Sequence, residues 1–308
     1  FASVGRFLKH AGNMSLGMLI IDESGQAIPP SALGALYRTK RAVVVGDPLQ
    51  VEPVVTIPKV LIDILADSTG VANEYKVIEN SAQTFADNIN EFSGMIGERQ
   101  VGCPLVVHRR CIEPMFSISN MISYDNRMFN KTHKKEDYLK QEQPFLIKKS
   151  GWINVEGTEN GSKDHFVKNQ AERVCQLLEN ALHIYTNLYE TDDKIFIITP
   201  FRTVAESMRK FVIGYFSVKG YDKEMLTKWT KNCVGTVHTF QGKDANEVLF
   251  VLGCSDKSVG AMNWVVKKAN ILNVACTRAK YRIAFIGNLN DWKNRRYFRE
   301  FIPKFIDT

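Results

Sequence analysis

Asp22 and Glu23 are the first residues whose types and spacing suggest chemistry, because they directly follow an apolar run at residues 16–21. Neighbouring residues at a strand end point in different directions, so one carboxylate can hold a Mg²⁺ ion while the other reaches an attacking water. Hydrolysis of a nucleoside triphosphate requires both roles. Taken alone, an acidic pair after a strand is more often a polar cap that has no catalytic role.

A second polar group follows the apolar run at residues 42–45. It reads Gly46-Asp47-Pro48-Leu49-Gln50. A tight turn followed by an amide side chain could be a sensor that contacts phosphate or water. It could equally be a structural turn without a functional role. By itself this motif leaves both interpretations open.

The elements that must position these groups are short apolar runs alternating with helical patterns, which predict buried parallel strands of an α/β sheet. In such sheets the functional loops lie at the carboxyl ends of the strands. The predicted strands are 16–21, 42–45, 194–199, 233–237, 248–253 and 281–287. The predicted helices are 29–38, 112–122, 166–189, 204–216, 269–279 and 289–302, the last of which ends before Pro303.

Length and charge suggest two domains and a polyanionic partner. The 308 residues are 44% hydrophobic and 24% charged, which excludes a disordered or fibrous chain. Residues 1–100 hold 8 Lys+Arg against 11 Asp+Glu, so the remaining 32 against 22 give that part a net charge of +10. A basic half suits nucleic acid, although solvated surface lysines would give the same count. We predict a boundary near residues 98–104, with domains 1–101 and 102–308.

Cysteine usage and the absence of targeting segments predict a cytoplasmic protein. The six cysteines are scattered without a CxxC pair, which favours reduced thiols over zinc or redox motifs. No apolar run approaches the roughly 18 residues of a membrane span, and no secretory signal opens the chain.

Taken together, the motifs resemble those of superfamily 1 helicases of the Upf-like branch. Asp-Glu-Ser-Gly-Gln and Val-Gly-Asp-Pro-Leu-Gln are similar to motifs II and III, and four further blocks follow in the family's order. The six blocks occupy residues 22–26, 45–50, 108–111, 198–202, 234–244 and 272–280. The resemblance implies two RecA-like domains, the first one incomplete, that bind ATP and Mg²⁺ and move on single-stranded DNA or RNA, with 5′ to 3′ polarity.

The resemblance also assigns catalytic roles. Asp22 would coordinate Mg²⁺, Glu23 would polarise the attacking water, and Gln50 would sense the γ-phosphate. Arg110 and Arg278 would be arginine fingers, a task that suits a permanently charged, bidentate guanidinium. Arg278 could instead form an ordinary salt bridge, and either Arg110 or its neighbour could point inward.

The neighbour, Arg109, stands where family members often have tyrosine, and its planar group could stack on adenine in the same way. Gln241 and Gly242 would meet the nucleotide. Asp244 would accept a hydrogen bond from the ribose, although the family more often has glutamate there.

Four residues are implied in nucleic-acid binding. Thr199 and Arg202 would contact backbone phosphates of the nucleic acid. Thr236 and His238 would lie near the nucleic-acid strand. His238 could act as a general base, but a hydrogen-bonding role is the preferred interpretation.

The main departure from the family is that no Gly-x-x-x-x-Gly-Lys-[Ser/Thr] segment occurs in the sequence. The family has that segment upstream of the acidic pair. We therefore expect a C-terminal motor fragment that is inactive alone and whose partner is the N-terminal part of the same protein. The alternatives are a catalytically dead RecA-like module that binds nucleic acid or protein, and an ATPase without strand separation.

Overall fold

The computed structural model describes residues 3–72, 75–78, 80–96, 99–132, 145–159, 164–182, 184–185, 187–192 and 194–306. The chain divides into two compact units, residues 1–105 and 106–308. Within the described residues, no helix combines the length and the apolar character needed to cross a membrane.

The described residues of the first unit form a small parallel sheet, an antiparallel pair of strands and four α-helices. Its strands are β1 Leu19–Ile21, β2 Ala42–Val44, β3 Gly94–Ile96 and β4 Arg99–Val101. Its helices are α1 Val4–Phe7, α2 Pro29–Tyr37, α3 Lys59–Thr69 and α4 Ala82–Ile89. β1 pairs with β2 in parallel, and β3 pairs with β4 antiparallel.

The parallel pair of the first unit buries little of its apolar surface. Ile21 packs with Ala32 and Ala82 in a small core. In contrast, Ile20 is 69% exposed and Val43 is 45% exposed. Parallel sheets are normally covered on both faces, so these two strands expose apolar surface that a parallel sheet usually buries.

The second unit is built on a five-stranded sheet. The strands of the unit are β5 Val107–His108, β6 Phe129–Asn130, β7 Gly151–Asn154, β8 Ile195–Thr199, β9 Val234–Thr236, β10 Ala245–Val251 and β11 Ala279–Gly287. Strands β7 to β11 form the five-stranded sheet, and β5 pairs separately with β6 in parallel. Its helices are α5 Met115–Ser123, α6 Lys168–Ala181, α7 Arg202–Ser217, α8 Lys223–Cys233, α9 Val259–Val265, α10 Asn270–Arg278, α11 Leu289–Trp292, α12 Phe298–Phe301 and α13 Pro303–Ile306. The sheet order is β7-β11-β10-β8-β9, and every pairing is parallel.

The central strands of this sheet are the most apolar parts of the sequence. All five residues of β8 are buried, and the residues of β10 from Glu247 to Val251 are buried too. Such strands are covered on both faces, and the helices of the unit provide that cover. The predicted α/β class with a RecA-like parallel sheet is therefore confirmed.

Two predicted helices are shorter than their sequence patterns suggested. The helix predicted over 166–189 ends at Ala181, and a separate 3₁₀ turn begins at Leu188, where the Asn187 side chain accepts the N–H of Glu190. The helix predicted over 289–302 is two short helices, α11 and α12, and Tyr297 between them has a left-handed φ of 67°. A left-handed residue cannot continue an α-helix.

A buried glutamate binds the segment that precedes β7 to the centre of the sheet. Glu247 is fully buried in β10, and its carboxylate accepts the backbone N–H groups of Leu146 at 2.8 Å and Ile147 at 2.6 Å. Burial raises the pKa of Glu247 to about 7, although the two N–H donors act in the opposite direction.

The raised pKa predicts a pH-dependent stability. Glu247 binds its proton more tightly in the folded chain, so its stabilising contribution is complete below the ordinary pKa of 4.5 and is lost as the pH rises to about 7. The free energy of unfolding, measured in urea, should fall by up to about 1.4 kcal/mol per pH unit across this interval. Glu247→Gln should lack this component, and Glu224→Gln, an exposed change on α8, should keep it. Equal pH dependence in all three proteins would contradict the assignment.

Candidate nucleotide and nucleic-acid sites

The acidic pair of the first unit lies on an exposed turn that follows β1. Glu23 has a left-handed φ of 52°, and its backbone N–H donates to the Asp22 carboxylate at 2.9 Å. Its own carboxylate accepts from Gln26 at 3.1 Å. Both acidic residues are exposed, so their remaining oxygen lone pairs face solvent, where a metal ion or water can reach them.

The loops after β1 and β2 touch each other through glycine. A Cβ placed on Gly25 would lie 2.7 Å from the carbonyl oxygen of Asp47, and one placed on Gly46 would lie 2.6 Å from the backbone nitrogen of Gly25. Such distances are far inside van der Waals contact, so any larger residue would force the loops apart. Glycine at both positions is therefore a packing requirement of this site.

Asp47 organises the second of these loops. Its carboxylate accepts the backbone N–H of Leu49 at 2.9 Å and the side-chain amide of Gln50 at 3.1 Å. The predicted sensor Gln50 is thus held within its own turn. The structure brings the turn into contact with the loop that carries Asp22 and Glu23.

A buried polar network, which the sequence did not reveal, supports the acidic loop. Ser24 is fully buried, and its hydroxyl lies 2.9 Å from the carbonyl oxygen of Val45 and 2.6 Å from Oε1 of Gln83. The Gln83 amide donates to Asp87 at 2.8 Å, and Asp87 also accepts the N–H of Gly102 at 3.1 Å. Helix α4 is thereby tied to the acidic loop.

Predicted nucleic-acid contacts of the second unit gather at the carboxyl edge of its sheet. Thr199 and Thr236 end β8 and β9 and are direct Cα partners. Thr199 is buried, and its hydroxyl accepts the N–H of Phe201 at 3.4 Å. Arg202 begins α7 with its side chain 88% exposed and paired to Glu206 at 2.8 Å. Arg202 is therefore the solvent-accessible cation of this group. The Thr199 hydroxyl, in contrast, is occupied by a hydrogen bond within its own backbone turn.

His238 lies beside this edge, in the 3₁₀ turn that follows Thr236. The Thr236 hydroxyl caps the turn with that of Thr239, at 3.2 Å. Although His238 as a whole is exposed, desolvation of its ring lowers its pKa from the ordinary 6.5. The ring is therefore neutral at about pH 7 and can donate and accept hydrogen bonds.

Predicted nucleotide contacts of the same unit gather at the opposite, amino edge. Asp244 and Arg278 directly precede Ala245 and Ala279, which are Cα partners of β10 and β11. The carboxylate of Asp244 pairs with Lys280 at 2.7 Å. Gln241 and Gly242 belong to the turn that leads to Asp244, and Gly242 is left-handed with a φ of 77°.

Arg278 is completely buried within this edge. Its guanidinium donates to the carbonyl oxygens of Phe240 at 3.3 Å and Lys243 at 2.9 Å, and to the hydroxyl of Thr277 at 3.3 Å. In this structure the side chain holds the turn at residues 240–243. Its role as an arginine finger stays a prediction.

The two arginines after β5 lie on a turn that His108 shapes. Nε2 of His108 accepts the backbone N–H of Cys111 at 2.9 Å. Arg109 is exposed and Arg110 is half-buried. Adenine stacking by the first and finger chemistry by the second both stay predictions.

Removing Arg278 should destabilise the second unit as well as affect any chemistry. Arg278→Ala removes the donors to the carbonyls of Phe240 and Lys243 and creates a cavity, so the free energy of unfolding should fall by about 3 kcal/mol. Urea unfolding of the purified chain measures this, with the exposed Arg299→Ala on α12 as control. Unchanged stability in Arg278→Ala would show that the guanidinium does not support the turn.

Comparison with known proteins identifies the family. An AAA domain family matches residues 92–290, and a second AAA domain family matches residues 3–57. An uncharacterized ATP-dependent helicase of Methanocaldococcus jannaschii is 24% identical over 92% of this chain and 38% of its own length. The ATP-dependent helicase NAM7 of Saccharomyces cerevisiae is 23% identical over 88% of this chain and 25% of its own length.

A solved PRRSV helicase structure superimposes with a TM-score of 0.39 and 11% identity, over 88% of this chain and 34% of that chain. The chain thus spans well under half of the length of each of these relatives. The family matches together cover most of both units. The chain belongs to the AAA domain family, in the Upf-like branch of superfamily 1 helicases.

Proposed function

We propose that the protein carrying this chain is an ATP-dependent helicase or translocase that acts on single-stranded DNA or RNA. The observation that carries the proposal is the exposed acidic turn of Asp22 and Glu23, locked by glycine contacts against the loop of Gln50. The named relatives are described as ATP-dependent helicases, which supports the same activity.

The acidic turn supplies the groups that phosphoryl transfer needs. Asp22 would hold Mg²⁺, which neutralises phosphate charge when it is bound, and Glu23 would accept the proton of the attacking water. The interlocked loop would keep the Gln50 amide at a fixed place beside them. ATP and Mg²⁺ are the ligands that this donor set favours.

The carboxyl edge of the second unit suits a nucleic-acid strand. Arg202 offers an exposed positive charge at a helix N-terminus, and neutral His238 offers hydrogen bonds nearby. Arg109, Gln241, Gly242, Asp244 and the two fingers Arg110 and Arg278 would belong to the nucleotide instead. The 5′ to 3′ polarity rests on the family resemblance.

The first unit also supports a proposal about its partner. Ile20, Val43, Val60 and Ile64 are large apolar side chains on β1, β2 and α3, and all of them are exposed. We propose that an N-terminal part of the same protein, carrying the phosphate-binding segment, covers this surface. A cytoplasmic location is proposed on the six cysteines, all of which are thiols.

Nucleic-acid-stimulated ATP hydrolysis by the native-length protein tests the proposal. Glu23→Gln should lower kcat by at least about 100-fold, because the amide cannot accept the proton of the attacking water. The exposed Glu91→Gln should leave turnover unchanged. Parallel assays with single-stranded DNA and RNA would show which polymer stimulates hydrolysis.

A catalytically inactive binding module is the second candidate function, favoured by the burial of Arg278 among backbone carbonyls. Strand binding without ATP turnover in the native-length protein would support this candidate. Turnover equal in wild type and Glu23→Gln would remove the acidic turn from the mechanism.

Arg202 should contribute one phosphate contact. Arg202→Ala should weaken single-strand binding at all sequences and reduce the slope of log affinity against log salt by about 1. Fluorescence anisotropy at several salt concentrations measures both quantities. Arg127→Ala is the matched control, because Arg127 is also exposed and paired to a nearby carboxylate, Asp125. An unchanged slope in Arg202→Ala would exclude Arg202 from the interface.

A further inference from the structure

Three side chains with sulfur, nitrogen and oxygen donors meet at the carboxyl edge of the second unit. Glu159 follows β7, His165 precedes α6, and Cys254 follows β10. One ligand atom from each lies within 4.8 Å of the other two. None of these residues belongs to a motif that the helicase resemblance assigned.

The backbone fixes two of these residues against each other. The N–H of Cys254 donates to the carbonyl oxygen of His165 at 2.9 Å. A Cβ on Gly253, which has a φ of 62°, would lie 2.6 Å from that same oxygen. Glycine is therefore required for the approach that brings the thiol to the imidazole.

The Glu159 carboxylate is buried without a permanent cation among its described contacts. Its side chain is 2% exposed. It accepts the N–H of Ser255 at 2.7 Å and the hydroxyl of Ser258 at 2.8 Å, and His165 lies 3.3 Å away. Both serine donors are neutral, and an imidazole is charged only when it is protonated. Burying a carboxylate is costly unless it is paired or hydrogen-bonded, and a divalent cation at this place would supply the pairing charge that the neutral donors lack.

We infer that Glu159, His165 and Cys254 form a zinc site. Zinc binds thiolate sulfur at about 2.3 Å and imidazole nitrogen or carboxylate oxygen at about 2.0–2.2 Å, so tetrahedral ligands are roughly 3.3–3.8 Å apart. Closing the cluster by about 1 Å satisfies this geometry. The mixed donor set excludes Mg²⁺ and Ca²⁺, which prefer oxygen ligands alone. Three protein ligands leave the fourth position to water.

The zinc site fixes the loops beside the proposed strand-binding edge. Thr203 of α7 donates to the carbonyl oxygen of Asp164 at 2.7 Å, and the His165 ring lies 4.8 Å from the ring of Phe201. Arg202 lies between Phe201 and Thr203 in the sequence. Zinc bound to His165 thus stabilises the segment from which Arg202 projects.

Metal binding by the purified chain tests the inference without any measurement of ATP turnover. After dialysis against a chelator, titration with zinc should give one equivalent per chain, and zinc should raise the Tm. Co²⁺ in place of zinc should give a thiolate-to-cobalt charge-transfer band. His165→Ala and Cys254→Ser should lose the equivalent, the Tm shift and the cobalt band.

Cys175→Ser is the matched control, because Cys175 is also a buried thiol but lies on α6 outside the cluster. It should keep zinc binding and the cobalt band. Circular dichroism of each variant separates loss of metal from loss of fold. The cobalt band is measured on the wild-type chain and does not depend on whether any variant folds. Absence of this band would therefore overturn the inference directly. Retention of zinc by Cys254→Ser would also overturn the inference. A wild-type Tm that does not change with zinc would overturn it too, because the three side chains would then form only a hydrogen-bonded cluster.

Discussion

The parallel ladder of β9, β8, β10 and β11 is the constraint on which the second unit depends. Because all of these strands run in one direction, the sheet has one carboxyl edge and one amino edge. The register pairs Thr199 with Thr236 at the first edge and Ala245 with Ala279 at the second. Residues far apart in sequence are thereby sorted into two groups, one proposed to bind the nucleic acid and the other the nucleotide. Burial of β8 and β10 on both faces makes any slip of this register costly.

In the first unit the corresponding constraint is a close contact between two loops. Gly25 and Gly46 allow backbone approaches that no side chain would permit, and the buried Ser24 hydroxyl joins the same contact to Gln83. The acidic turn can therefore be exposed to solvent while its base is rigid. Rigid support beneath exposed carboxylates is what catalytic positioning requires.

Much of this arrangement could be predicted from sequence, since the apolar runs of β8, β10 and β11 and the order of the motifs are local signals. The helix end at Ala181 could not, because the apolar spacing continues beyond it while Leu188 is buried by a separate 3₁₀ turn. Burial of Arg278 also escaped prediction, because its acceptors are backbone carbonyls, which carry no sequence signature. Glu159 and Cys254 are 95 positions apart, so only the fold shows that they meet.

Hydrogen exchange of the chain with and without single-stranded nucleic acid is the most direct test of the two-edge account. Backbone amides of residues 201–204 and 237–239 should gain protection when single-stranded nucleic acid binds, because they lie at the carboxyl edge. Amides of residues 243–245 and 278–280, at the amino edge, should be unaffected. Protection confined to the amino edge would contradict the proposal that the nucleic acid binds at the carboxyl ends of β8 and β9.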